Sequence, residues 1–216
     1  VEGYVAVEPT SQSITIKVEG NVINFYFTKR TDLSYTVNYL EQDTNKVLAE
    51  SKVVTGQTYL QEVTENAINI PGYVAVEPTS QSITIDVANN VINFYYTKRT
   101  DLVYTVNYLE KGTNEVLAES KVVNGQTYLS SVTEYAIDIE GYVKEEPTEN
   151  TIVINVEGNT INFYYTKRTD LSYTVKYLEQ DTNKALAENK VVNGQTYLAE
   201  VTENAIDIIG YTKQEP

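Results

Sequence analysis

The amino-acid sequence predicts an α+β, β-rich fold made of tandem modules in the order ββαβββ, and three observations carry that expectation. The dipeptide Gly-Tyr recurs at Gly3-Tyr4, Gly72-Tyr73, Gly141-Tyr142 and Gly210-Tyr211, always 69 residues apart. A fixed period of this size marks an array of small structural units. Short segments rich in Tyr, Val and Ile alternate with the two-residue period of a strand. One stretch per period, Thr58–Asn69 in the first complete copy, loses that alternation and spaces Tyr59, Val63 and Ala67 as one face of a short helix.

Leu33–Asp101 aligns with Leu102–Asp170 without a gap and matches at roughly 50 of 69 positions. These are two complete repeats. Residues 1–32 match the C-terminal half of the unit, and residues 171–216 match its N-terminal part. The ends fall inside the unit, the pattern of an excerpt from a longer array, and a tandem array has no unique phase.

Within the unit, Ser34–Glu41 places Tyr35, Val37 and Tyr39 on one face and is the first predicted strand. Gln42–Asn45 carries turn chemistry, since Asp and Asn bond locally to the backbone and tolerate left-handed angles. Glycine (Gly112) takes the place of Asp43 in the next copy. Val47–Val54 returns as the second strand and Gly56 ends it. The helix over Thr58–Asn69 depends on packing, because one so short has little stability of its own. Pro71-Gly72 breaks the chain before a short strand, Tyr73–Glu77, which Pro78 closes. Ser82–Val87 and Val91–Lys98 complete the set, joined by a turn at Asn89-Asn90. Arg99–Leu102 leads into the next copy with no Gly, Ser or Pro linker, which predicts stiffly coupled neighbours.

The composition excludes several function classes. The formal charge is −14, from 30 acidic and 16 basic side chains. Such a balance opposes nucleic-acid binding, which rests on neutralising phosphates with Lys and Arg, and opposes docking on anionic membranes. Its plain role is to keep long arrays soluble through mutual repulsion. No apolar run approaches the ~20 residues that cross a bilayer. The sequence has no Cys and no His, so disulfides, a structural zinc site and Ser-His or Cys-His catalysis are ruled out. Carboxylates remain for acid–base work, but Glu41, Glu50, Glu62, Glu65 and Glu77 are scattered among the elements, and Glu62 becomes Ser131 in the next copy. No catalytic residue, metal ligand or cofactor is therefore expected, and the chain reads as a non-enzyme. The oxygen-rich run Glu41–Asn45 lacks the distal bidentate Glu of a calcium loop and reads as a hairpin turn.

Three further features bear on function. Tyrosine is abundant, 19 residues against four Phe and no Trp. It suits both half-buried sheets and sugar-binding surfaces, and the scaffold reading is the favoured one. Thr-Lys-Arg-Thr-Asp is identical at Thr28–Asp32, Thr97–Asp101 and Thr166–Asp170. Lys98, Arg99 and Asp101, with Lys167, Arg168 and Asp170, are the candidate junction residues that would pair between modules and set their angle. Lys52, Lys121 and Lys190 share one strand position, and a Lys–Asn cross-link would require each to face an asparagine.

The opening Y-T-V-N-Y-L-E (Tyr35–Glu41), the glycine before Thr58-Tyr59, the I-P-G-Y at Ile70–Tyr73 and the closing I-N-F-Y-Y-T-K (Ile92–Lys98) recur in order. They reappear at Tyr104–Glu110, Gly125–Tyr128, Gly141-Tyr142 and Ile161–Lys167, and in part at Tyr173–Glu179, Gly194–Tyr197 and Gly210-Tyr211. This pattern resembles the MucBP (mucin-binding protein) repeats of Gram-positive surface adhesins across essentially the whole chain. The resemblance implies a β-grasp, ubiquitin-like module, with first and last strands parallel in the centre of the sheet and the modules arranged as an extended rod. It implies an extracellular protein of the bacterial cell surface, wall-anchored through a region outside these residues. It also implies adhesion, with mucin or other host glycans as partners beside the neighbouring repeats. The competing expectation is a structural spacer or fibre component with no ligand of its own.

Overall fold

Leu33, Tyr35, Val37 and Tyr39 alternate with polar neighbours, and in the computed structural model, which describes residues 1–214, they form one buried side of a strand. Two compact units are present, Val1–Asp101 and a second beginning at Leu102. In the first, β1 (Tyr4–Ala6) pairs antiparallel with β2 (Phe27–Lys29). The complete repeat follows as β3 (Leu33–Glu41), β4 (Val47–Gln57), β5 (Glu62–Asn66), β6 (Tyr73–Ala75), β7 (Ser80–Thr84) and β8 (Val91–Lys98). A four-stranded sheet runs in the order β4-β3-β8-β6, and β5 with β7 makes a separate two-stranded ribbon. The first and last strands lie parallel, Thr36 beside Val91 through Glu41 beside Tyr96.

The second unit repeats this arrangement with β9 (Leu102–Glu110), β10 (Val116–Gln126), β11 (Ser131–Tyr135), β12 (Tyr142–Lys144), β13 (Glu149–Val153) and β14 (Thr160–Lys167). Its sheet order is β10-β9-β14-β12, with β11 and β13 as the ribbon. Then β15 (Leu171–Val175) pairs antiparallel with β16 (Lys190–Gln195).

The core of the first complete module lies on one face of the four-stranded sheet. Tyr35, Val37 and Tyr39 from β3 meet Ile92, Phe94 and Tyr96 from β8, with Val63 and Ile85 coming from the ribbon side. The Tyr39 and Phe94 rings stack 6.3 Å apart, and Tyr108 and Phe163 do the same in the second module. The buried Tyr96 hydroxyl donates to Ile68 O at 3.0 Å, so the polar tip is satisfied under the sheet. Most of the tyrosines in β3 and β8 are therefore scaffold.

The expected helix does not form: the described residues contain no helix, and the modules are all-β. This corrects the α+β, ββαβββ β-grasp assignment. Within Thr58–Asn69, Leu60 adopts a φ of +63°, which no helix accommodates. Its amide donates to Ile85 O and the Ile85 amide to Gln61 O, each at 2.8 Å. The segment then pairs with β7 as β5, Val63 opposite Ile83. The two-residue period was hidden because its second inward position is a charged residue, Glu65. The turn at Asn89-Asn90 has the expected chemistry: Asn89 sits at φ +61°, and the Asn90 carboxamide bonds both the amide and the carbonyl of Asp86 at 2.8 Å.

Candidate functional site

Two motifs that recur along the sequence, Gly-Tyr and the Thr-Tyr after β4, meet in space within each unit. A tight turn at Thr58–Gln61, closed by Gln61 N donating to Thr58 O at 3.0 Å, holds Tyr59 beyond the end of β4. The Tyr59 amide donates to Arg30 O at 2.9 Å. Its ring meets Tyr4 edge-on, with centroids 5.4 Å apart and planes at 76°. Gly3, at φ +76°, lies so close that a Cβ there would overlap the Tyr59 ring. The second unit builds the same contact from Tyr197, Arg168 and Tyr142: the Tyr197 amide donates to Arg168 O at 2.8 Å, the rings lie 5.6 Å apart, and a Cβ on Gly141 would overlap Tyr197. Glycine is required twice over, for the left-handed backbone and for the approach of the ring.

Of the candidate junction residues, Arg168 lies at this contact, its carbonyl accepting from the Tyr197 amide. Arg30, Arg99 and Arg168 each form a two-pronged fork to the aspartate two residues on, with distances of 2.7–2.9 Å. The hydrogen bonds from arginine hold the Asp32, Asp101 and Asp170 carboxyls below their usual range. These pairs are solvent-exposed, so they shape the linker more than they stabilise it. Lys98 and Lys167 instead turn toward the first strand of their own modules, 3.9 Å from Glu41 and 3.6 Å from Glu110. The tyrosine contact was absent from the sequence reading of the junction, although both its motifs were conspicuous as repeats.

Exchanging Gly141 for alanine is expected to loosen the Tyr197 contact, since a side chain at this φ costs about 1–2 kcal/mol before any overlap is counted. Amide hydrogen exchange should accelerate at Tyr197 while β9 and β14 stay protected. Unchanged protection at Tyr197 would remove the contact's role in holding residues 171–214.

A second cluster recurs on the ribbon side. Glu65 accepts from the Tyr35 hydroxyl and from Lys52 Nζ, both at 2.6 Å. Glu134 accepts from Tyr104 at 2.5 Å and Lys121 at 2.7 Å, and Glu203 accepts from Tyr173 at 2.6 Å and Lys190 at 2.9 Å. Hydrogen bonds from Lys52 and Tyr35 draw the Glu65 carboxyl below its ordinary value. At Glu134, burial pushes upward, but the bonds from Lys121 and Tyr104 prevail and the net direction is down. The Tyr35 hydroxyl is pushed up to about 12, first by its bond to Glu65 and then by burial. The lysines considered for an asparagine cross-link thus bond glutamate. The Glu41–Asn45 run is a hairpin turn, with Thr44 Oγ1 donating to Glu41 at 2.7 Å.

The opposite face of each four-stranded sheet is open. Tyr95 and Tyr164 stand there, 36% and 38% exposed. Beside them a polar ladder crosses the parallel strands, Asn38 to Asn93 at 2.9 Å and Asn107 to Asn162 at 2.9 Å. With its tyrosines more than a third exposed, this face is accessible to an external contact.

These features define a tandem array of small all-β modules with tyrosine-capped junctions inside each unit. No described protein family matches the chain. It is 27% identical over 179 residues to internalin J of Listeria monocytogenes serotype 4b, strain F2365, matching 79% of this chain and 19% of that protein. Internalin J of strain EGD-e is likewise 27% identical over 181 residues, covering 79% and 20%. The chain therefore spans about a fifth of the length of these relatives, which are cell-surface proteins. Among solved structures, a type 2 repeat of the mucus binding protein MUB from Lactobacillus reuteri shares 15% identity at a TM-score of 0.23, covering 62% of this chain and 99% of that one. A streptococcal ancillary pilin shares 14% identity at a TM-score of 0.30, covering 78% and 76%. At these scores the superpositions carry no argument.

Proposed function

We propose that the chain is part of the repeat region of a bacterial surface adhesin, a stalk whose modules hold a distal part away from the cell wall. The observation that carries this reading is the junction: in both units, consecutive repeats are joined by the same Tyr-on-Gly contact and the same Arg–Asp fork. A segment built to hold its neighbours in a fixed arrangement suits a stalk. The sequence likeness to a surface protein supports the extracellular setting, with wall anchorage outside these residues. In this reading Arg99 and Asp101, with Arg168 and Asp170, orient the linker between modules, and Lys98 and Lys167 brace it from the module end.

Mucin or other host glycans are the proposed ligands, met by the outward rings of Tyr95 and Tyr164. The second reading, a spacer with no ligand, is favoured by the burial of Tyr35, Tyr39 and Tyr96, which leaves few rings to present. Binding of the 216-residue chain to immobilised mucin decides between them. Saturable binding that falls at least tenfold in the Tyr95→Ala, Tyr164→Ala double variant would establish the adhesive reading. No binding at high concentration would leave the spacer.

A further inference from the structure

The second strand of each module ends in a glycine bulge. Between the pairs Val123–Tyr104 and Gln126–Leu102, β10 carries Asn124 and Gly125 against Val103 alone. The same shift places Thr55 and Gly56 in β4, and Asn193 and Gly194 in β16. Gly56, Gly125 and Gly194 sit at φ +72°, +71° and +72°, the left-handed backbone that such a bulge asks of glycine. A Cβ on any of them would meet nothing within 4 Å. The glutamine that follows closes the bulge by donating to the main-chain oxygen two residues back. Gln57 reaches Thr55 O and Gln126 reaches Asn124 O at 3.0 Å, and Gln195 reaches Asn193 O at 3.1 Å.

What differs is the residue before the glycine, threonine in the first complete module and asparagine in the other two cases. Among the chain's asparagines, only Asn124 and Asn193 precede a glycine. Both are exposed, and their carboxamides make no hydrogen bond among the described residues. Those of Asn38, Asn90 and Asn159, by contrast, are held by partners.

We propose that Asn124 and Asn193 are sites of spontaneous deamidation. The Gly125 nitrogen, its proton taken by solvent base, attacks Asn124 Cγ. A new N–C bond forms, the C–N bond of the carboxamide breaks, and ammonia leaves with a solvent proton, which closes a five-membered imide. Water then opens the ring. Breaking the bond to the side-chain carbonyl gives aspartate, and breaking the bond to the main-chain carbonyl gives isoaspartate. Glycine offers no Cβ against ring closure. The Gln126 carboxamide, bonded to Asn124 O, stabilises the charge that this peptide group takes on when its nitrogen is deprotonated. Thr55 stands in the same frame without a carboxamide to attack, so the first complete module is the control within the chain. Isoaspartate adds a main-chain carbon to β16 just before the Thr196–Ala199 turn, which holds Tyr197 against Gly141 and Tyr142. That contact therefore loosens with age, whereas the Tyr59 contact, which follows Thr55, does not.

Peptide mass mapping of the full chain during incubation in mildly alkaline buffer tests this. Asn124 and Asn193 are expected to exchange NH for O roughly tenfold faster than Asn114, which is exposed but precedes glutamate. Isoaspartyl methyltransferase should label the same two peptides. The Asn124→Thr, Asn193→Thr double variant carries the residue of the first module and should lose both events. It should also keep Tyr197 protected from hydrogen exchange, while in the parent that protection decays as Asn193 converts. Gln126→Leu should slow the reaction at Asn124 severalfold. Conversion of Asn124 no faster than that of Asn114 overturns the proposal, as does a fast phase that survives in the double variant. An unchanged rate in Gln126→Leu removes the part given to the glutamine, and protection at Tyr197 that ignores conversion of Asn193 removes the loosening.

Discussion

Truncating Phe94 or Phe163 to alanine is expected to unfold its module under conditions where the parent is stable. Both rings are fully buried, at 0% and 1% exposure, and each stacks on a tyrosine of the neighbouring parallel strand. Loss of a buried Phe costs about 3–5 kcal/mol, part transfer and part cavity. A domain of this size has a total stability near the bottom of the ~5–15 kcal/mol range, so the change consumes most of it. The neighbouring Tyr95→Ala removes a ring from the open face and should cost under about 1 kcal/mol. Urea titrations followed by tyrosine fluorescence make the comparison directly, since the chain has no Trp. Equal shifts for Phe94→Ala and Tyr95→Ala would mean that the core is not confined to the Phe94 face of the sheet.

The second large effect belongs to the glutamate beneath the ribbon. Glu134→Ala leaves the Tyr104 hydroxyl, 2.5 Å from its present acceptor, without that partner, at a cost of about 1–3 kcal/mol. Glu134→Gln keeps an acceptor and should recover part of the loss. The carboxyl also dictates an acid limb. Because the folded state holds Glu65 and Glu134 below their ordinary values, the unfolded state takes up protons first. Stability from these groups is therefore complete above the unfolded carboxyl value, about 4.3, and drains away as pH falls through the folded one. The alkaline limb has the opposite origin. Tyr35 and Tyr104 hold their protons up to about 12, so their contribution is present below the unfolded tyrosine value, about 10, and is lost as pH rises toward 12. Thermal midpoints across this range should show a lower plateau with a shallower acid limb in Glu134→Gln, whose side chain takes up no proton there. An unchanged acid limb would show that the carboxyl's bonds do not govern it.

Much of the sheet was legible because its inward residues are apolar. Tyr35, Val37 and Tyr39 announce β3, and Ile92, Phe94 and Tyr96 announce β8, from alternation alone. The segment holding β5 misled because Glu65 points inward, where a sequence reader expects an apolar residue. Its partners Lys52 and Tyr35 lie 13 and 30 residues away, beyond any local pattern. Tyr59 fell at helical spacing with Val63 and Ala67, yet its ring serves the preceding repeat. The recurring Gly-Tyr hinted at a constraint, but the partner of a glycine that needs empty space cannot be read from its own neighbourhood. The Arg–Asp fork, two residues apart, was within reach of sequence; the direction taken by Lys98 was not.

The parallel alignment of β3 with β8 governs how a module meets a mechanical load. Tension carried along the backbone enters at Leu33 and leaves at Lys98, at opposite ends of two strands that lie side by side. Pulling the two apart slides one strand lengthwise past the other. The hydrogen bonds between Thr36–Glu41 and Val91–Tyr96 then bear the force together in shear, whereas a hairpin pulled at its open end surrenders its bonds singly. The outer strands β4 and β6 lie off that line of force, so the pair that seals the core is also the one that resists extension.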